Sequence, residues 1–296
     1  MTAVAPKFDH LDAGAARVAM SDDDERIRYI QRDRFVEHGA AQRLLLLLKD
    51  LALRPASIRP PCLALVGDAG SGKSTLLTEF LRLMDKVDGT SGRCSAVYLV
   101  ADPRPTIEVL QSALMAALSL PRPKTRWRQR SEGDSLIRQA IRELGVRVVV
   151  IDEIAHLLNL QNALQQETWD WIKWISTACG VSIACAGIPG YERMLLKDGQ
   201  LQTRFSIVRL PAWRPGPALA DFLAQYERSL PLRKPSGLAR MEIQQALLAE
   251  TQVKQQIKGV TDGIRQVLEF AAIRAIRTEE ERIFKPMLSA WRDLYG

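Results

Sequence analysis

The sequence predicts an α/β fold, a five-stranded parallel sheet flanked by helices and followed by a small helical domain. Three observations carry this expectation. Five short, almost wholly apolar runs alternate with helical stretches, and a glycine-rich loop stands directly behind the first of them. The strand pattern then stops at a Pro/Gly cluster, "LPAWRPGP" (210–217), beyond which only helical periodicity continues.

Residues 1–20 read as a flexible N-terminal arm. This stretch carries Asp9 and Asp12 and lacks a continuous apolar core, which excludes a signal peptide. Residues 21–60 read as N-terminal helices. They open at Ser21 with a cap residue and an acidic first turn, "SDDDE", which suits the positive end of a helix dipole, and helical spacing predicts two helices before the first strand. The five consecutive leucines at 44–48 predict a buried helix face and are far too short a run to span a bilayer.

The strands follow as "CLALV" (62–66), "SAVYLVA" (95–101), "VRVVVI" (146–151), "VSIACAG" (181–187) and "FSIVRL" (205–210). Near-continuous apolar strands separated by helices imply a sheet covered on both faces. Residues 61–213 are thus expected to form the α/β nucleotide-binding domain, and 214–296 a helical lid with helices near 218–229, 240–257, 262–277 and 284–294.

The loop behind the first strand is "GDAGSGKS", residues 67–74. Gly67, Gly70 and Gly72 permit backbone angles and approaches that a side chain would block. The successive N–H groups of Gly67, Asp68, Ala69, Gly70, Ser71, Gly72 and Lys73 can ring the phosphates of ATP at the start of the next helix, with Thr75 adjoining them. Lys73 is expected to reach the β- and γ-phosphates, and the Ser74 hydroxyl to ligate Mg²⁺. The strand before the loop and the helix after it separate this reading from a turn that binds nothing.

"RVVVIDEIAHLL" (147–158) adds two acids at the end of a buried strand. Asp152 at the carboxyl edge of the sheet is the expected second magnesium residue, and Glu153 is placed to polarise an attacking water. His156 completes D-E-x-x-H, which lacks the first histidine of a zinc motif, and reads as helix surface or as a support to the site. Arg204, directly before the last strand, reads either as a finger into a neighbouring subunit's γ-phosphate or as a partner for a surface acid. Arg265, at the start of a helix capped by Thr261 or Asp262, reads either as a lid contact to the nucleotide or as an exposed helix arginine.

Taken together these segments resemble an AAA+ ATPase, and more closely the TniB family of transposition regulators, related to TnsC and MuB. The resemblance runs over most of the chain, through "DDDERIRYIQRDRFVEHGAAQRLLLLLKDL", "RELGVRVVVIDEIAHLL", "QLQTRFSIVRLPAW" and "GVTDGIRQVLEFAAIRAI". It implies that Arg204 is the arginine finger and Arg265 the sensor-2 residue. It also implies assembly on double-stranded DNA with ATP as a homo-oligomer, ring or helical filament, and the recruitment or activation of a DDE-type transposase. In one respect the chain departs from the pattern. Where a polar sensor-1 side chain is expected after the fourth strand, "CAGIPGY" presents Ile188, which implies slow hydrolysis or a water oriented by another group.

Composition agrees with an anionic partner. The formal charge is +7, with 47% hydrophobic and 25% charged residues, ordinary for a globular protein. The basic run "PRPKTRWRQR" (121–130) holds Arg122, Lys124, Arg126, Arg128 and Arg130 around Trp127 with no acid, and reads as a DNA-backbone contact or a solvated loop. Cys62, Cys94, Cys179 and Cys185 form no C-x-x-C pair and read as reduced thiols of a cytoplasmic, DNA-associated protein. Trp169, Trp171 and Trp174 cannot share one helix face, so one or two are expected in the core.

Three functions compete on these residues. The first is an ATP-hydrolysing transposition regulator released from DNA on turnover. The others are a nucleotide-locked DNA scaffold with negligible turnover and an AAA+ loader for a helicase or other remodelling client.

Overall fold

The computed structural model describes residues 8–121, 130–251 and 259–295. By contact density the chain divides into two compact units. One comprises Met1–Arg43, Gly70–Gly72 and Ala212–Gly296, and the other Leu44–Ala69 and Lys73–Pro211.

The second unit holds a five-stranded parallel sheet of β1 (Cys62–Gly67), β2 (Ala96–Val100), β3 (Val148–Asp152), β4 (Ser182–Gly187) and β5 (Phe205–Leu210). Their order is β2-β3-β4-β1-β5, so β4 is inserted between the strand that leads into the glycine loop and the strand that ends in Asp152. Every residue of β1, β3 and β4 is buried, which is why these three segments read as unbroken apolar runs. β5, at the sheet edge, is only partly covered.

The helices, in chain order, are α1 (Ala13–Val18), α2 (Asp23–Ile30), α3 (Gly39–Leu53), α4 (Lys73–Asp88), α5 (Ile107–Ala117), α6 (Arg130–Leu144), α7 (Asn162–Cys179), α8 (Glu192–Lys197), α9 (Gly199–Gln202), α10 (Pro217–Arg228), α11 (Met241–Thr251), α12 (Thr261–Arg277) and α13 (Lys285–Tyr295). A 3₁₀ turn, Ile154–Asn159, follows β3. Trp169 and Trp171 are both buried although two residues apart, because α7 is covered on two sides. Trp169 meets Phe205 edge-on at 6.3 Å, whereas the Trp171 indole donates to Asp134 at 3.0 Å. Trp174 is half-buried.

Two expectations meet a different outcome here. The five leucines do not form one buried face. Leu44, Leu45 and Leu48 are buried, but Leu46 and Leu47 are 60% and 45% exposed, since five successive helical residues turn through more than a full circle. The arm expected over 1–20 contains α1, capped by the Asp12 carboxylate on the Ala15 N–H at 2.7 Å, with Leu11, Ala15 and Ala19 buried.

The other unit is helical. Its core joins Ile30 of α2 to Leu219, Phe222, Leu223, Ile264, Leu268 and Leu288 of the C-terminal helices. Arg26, fully buried, binds this together. Its guanidinium donates to the Pro231 carbonyl from two nitrogens (3.1 and 2.9 Å) and forms a two-pronged ion pair with Glu281. α2 is therefore a working part of the C-terminal helical unit, far from it in sequence.

Candidate functional site

β1 ends at Gly67, and α4 begins six residues later at Lys73. The turn between them needs glycine at two points, Gly70 with φ 74° and Gly72 with φ 91°, both in the left-handed region that side chains disfavour. Lys73 is buried and its ammonium donates to the carbonyls of Gly67 (2.8 Å) and Asp68 (2.9 Å), folding the loop around itself. Burial pulls its pKa below that of an ordinary lysine, while the negative fields of Glu153, Asp152 and Asp68 oppose that shift. Ser74 and Thr75 are exposed on the first turn of α4, and Asp68, Ala69 and Gly70 are exposed on the loop.

β3 delivers the acids to the same edge of the sheet. With β4 between them, β1 and β3 lie two strand spacings apart, roughly 10 Å. Asp152 is 1% exposed, with Oδ1 accepting from the Glu153 N–H at 2.8 Å and Oδ2 from the Tyr98 hydroxyl at 3.1 Å. Glu153 turns the chain out of the strand with φ 53° and ψ 30°, a left-handed conformation unusual for a side-chain-bearing residue and of the kind that collects at functional sites. Burial and the charge of Asp152 push the Tyr98 phenol upward, so it remains a hydrogen-bond donor across the neutral range. Its signal in the sequence is the tyrosine hydroxyl inside the apolar stretch that follows Ser95 in "SAVYLVA".

β4 closes the edge. Gly187 pairs with Val66 of β1, and a Cβ there would meet the Ala155 backbone nitrogen and the Tyr191 ring at 3.0 Å each. Buried Tyr191 donates to the carbonyls of Leu65 (3.2 Å) and Cys185 (3.3 Å), tying β1 to β4 beneath the loop. Ile188 follows, 44% exposed and with no side-chain hydrogen-bonding group to offer. The His156 imidazole Nδ1 lies 2.9 Å from the Ala101 carbonyl, which pins the turn after Glu153 to the end of β2.

Arg204 stands apart from this cluster. The Arg204 carbonyl accepts from the Cys62 N–H at 2.8 Å, and Phe205 pairs with Cys62 at the start of β1, which puts Arg204 at the sheet edge opposite Gly67. Its guanidinium donates to the Thr177 hydroxyl at 2.8 Å. In the helical unit Arg265 lies on the first turn of α12 among three carboxylates: Asp262 (2.9 Å), Glu269 (3.0 Å) and Asp33 (3.8 Å). Burial raises the Glu269 pKa, and the Arg265 charge works against that rise. Of the basic run, Lys124, Arg126, Trp127 and Arg128 lie outside the described residues. Arg130 is the first residue of α6.

The residues present fit a Mg²⁺–nucleoside triphosphate. A glycine loop with two left-handed residues opens onto a helix N-terminus, a buried lysine is held by two loop carbonyls, and a buried aspartate has both oxygens oriented by donors. Among the described residues no cluster of histidine, cysteine and carboxylate suited to a protein-built metal site occurs, and no helix is long and apolar enough to cross a membrane.

Comparison with solved structures shows the AAA+ fold. The Orc1 protein of Aeropyrum pernix, solved in complex with DNA, superposes with a TM-score of 0.59 at 19% identity, over 93% of this chain and 68% of that one. A Drosophila origin recognition complex (ORC) chain, also bound to DNA, gives 0.60 at 13% identity over 94% and 67%. Cdc6p of Pyrobaculum aerophilum gives 0.56 at 17% over 88% and 68%. No curated protein matches the sequence. The family model described as "Bacterial TniB protein" matches residues 26–215, from buried Arg26 through the phosphate loop, both acids and Arg204 to the end of the sheet. The chain belongs to the TniB family.

Proposed function

We propose that this protein is an ATP-dependent regulator of DNA transposition that binds Mg²⁺–ATP, oligomerises on double-stranded DNA, recruits or activates a DDE-type transposase at the target, and is released on hydrolysis. The observation that carries the reading is the convergence of the Lys73 loop and the Asp152–Glu153 turn on one sheet edge.

In this reading Gly67, Asp68, Ala69, Gly70, Ser71 and Gly72 wrap the phosphates, Lys73 neutralises them, and Ser74 and Asp152 hold the metal, with Thr75 beside them. Bound magnesium would supply further charge neutralisation at the transferring phosphoryl group. Glu153 accepts the proton of the attacking water. Arg204, on the far sheet edge from its own loop, suits service in trans to a second copy, which supports a shared site and hence assembly. Arg265 would report nucleotide state as the sensor-2 residue once it leaves its carboxylates. The family and the net charge of +7 support DNA as the surface of assembly.

The test is calorimetric titration with ATP alongside phosphate release with and without DNA. Binding lost in Lys73→Ala and turnover lost in Glu153→Gln support the reading, and a parent protein indifferent to ATP ends it. Co-purification with a transposase, and not a helicase, decides the client.

One observation favours a second reading, a nucleotide-locked scaffold. Ile188 occupies the sensor-1 place with an aliphatic side chain that orients no water. Absence of turnover in the parent, with ATP still bound, supports the scaffold, and a rise in turnover in Ile188→Asn shows the same position limiting an active enzyme.

A further inference from the structure

The AAA+ unit carries a basic face that the phosphate site does not use. On α6, Arg138 and Arg142 are exposed one turn apart and line an open groove with Ser135, Gln139 and Glu143. Arg93, in the loop before β2, spreads its guanidinium over Gly145, whose Cβ position lies 3.5 Å from Nε, and Arg147 stands directly ahead of β3.

Among the described residues none of these four guanidinium groups has an ion pair, although acids are near. Asp134 is turned inward onto Trp171 (3.0 Å) and Gln111 (2.8 Å), Asp88 is taken by the Ser95 N–H (2.6 Å) and hydroxyl, and Glu143 accepts from Gln139 at 2.8 Å. Arg138 sits over the Trp174 ring, its guanidinium carbon 5.3 Å from the ring centre, a contact that leaves its charge in place. Helix C-termini also gather at this sheet edge and attract cations, but among the described residues none of these guanidinium groups donates to a terminal carbonyl, so the arginines are not consumed as caps.

From this we infer that Arg93, Arg138, Arg142 and Arg147 form a binding face for the phosphate backbone of duplex DNA. The charges are spread along a surface instead of converging on a pocket, which suits a polyanion over a single phosphate. Arg138 and Arg142, one helical turn apart, have Cβ atoms about 6 Å apart, so their long side chains can reach neighbouring phosphates of one DNA strand. The other residues that line the groove, Ser135, Gln139 and Glu143, are polar, as in DNA interfaces, whereas protein interfaces place apolar or aromatic groups at their centre. The inference rests on the proposed DNA reading and names a surface for it.

The test is anisotropy of a labelled duplex, with a non-hydrolysable ATP analogue, across roughly 50 to 200 mM salt. We expect the paired change Arg138→Ala and Arg142→Ala to weaken binding of unrelated sequences alike, by about tenfold or more, and to make the slope of log affinity against log salt shallower by about two. Arg93→Ala should make it shallower by about one, and the paired Arg→Lys change should restore binding, with ATP affinity unchanged throughout. A parent that binds no duplex overturns both the DNA reading and this face. A parent that binds while the Ala pair and Arg93→Ala keep its affinity and slope overturns the face alone. If the variants lose poly-L-glutamate binding but not duplex binding, the face serves an acidic protein and the assignment to DNA falls.

Discussion

The Tyr98 hydroxyl donates to Oδ2 of Asp152 at 3.1 Å across the β2–β3 pair, where Val100 is the direct neighbour of Asp152 and Tyr98 sits two residues before it on the same face. With the Glu153 N–H on Oδ1, both oxygens of the candidate metal carboxylate are aimed by the protein before any ligand arrives. Tyr98→Phe deletes one of those donors while keeping the ring. We expect a roughly tenfold or greater rise in the Mg²⁺ requirement for nucleotide binding, on the scale of one hydrogen bond to a charged group, about 1.5–3 kcal/mol. Titrating Mg²⁺ at fixed ATP in a calorimeter measures it, and an unchanged midpoint denies Tyr98 this role.

Lys73 links the loop to pH. Its ammonium is intact below its folded pKa, so ATP affinity falls as pH rises through that value, which burial has moved below the ordinary 10.5. In the same alkaline window the unfolded chain binds the proton more tightly than the folded one, so apoprotein stability rises with pH while ATP affinity declines. Opposite pH trends in melting temperature and in ATP affinity are the expected signature, to be compared with Lys73→Met, in which both dependences flatten.

Glu153 pairs its proposed chemical role with a strained backbone. At φ 53° glycine is relaxed where glutamate is not, so Glu153→Gly should be about 0.5–1 kcal/mol more stable than Glu153→Gln, while both abolish phosphate release. Denaturant melts of the two variants provide the comparison. A Glu153→Gly protein less stable than the Gln variant would show that the turn is held by the side chain instead.

Arg26 and Glu281 should set the acid limit of the helical unit. Burial alone would raise the Glu281 pKa, but the hydrogen bonds from Arg26 and the Arg233 N–H, with both guanidinium charges, take it below the ordinary 4.5. The stability it contributes is complete above about 4.5 and is lost as pH falls through the lowered folded value. Arg26→Met leaves a buried carboxylate short of its partner and should cost about 3 kcal/mol near neutrality. Urea melts at neutral and acid pH should show that cost shrinking as Glu281 protonates.

The amino-acid order alone determined much of this protein. Five apolar runs fell within one or two residues of the five strands. "GDAGSGKS" and "VVVIDE" carry the candidate phosphate loop and acids, because such a loop is built from backbone angles and contacts within one short segment. The folded chain decided what depends on residues distant in sequence. Strand order, which sets Lys73 and Asp152 at one edge and Arg204 at the other, arises from which apolar faces pack, and no local spacing encodes it. Arg26 finds Glu281 across 255 positions, Tyr98 finds Asp152 across 54, and the leucine run splits into buried and exposed members only when the sheet and helices choose which side of α3 to cover. Side-chain burial and long-range hydrogen bonding are properties of the assembled core, so these partners appear only once it has formed.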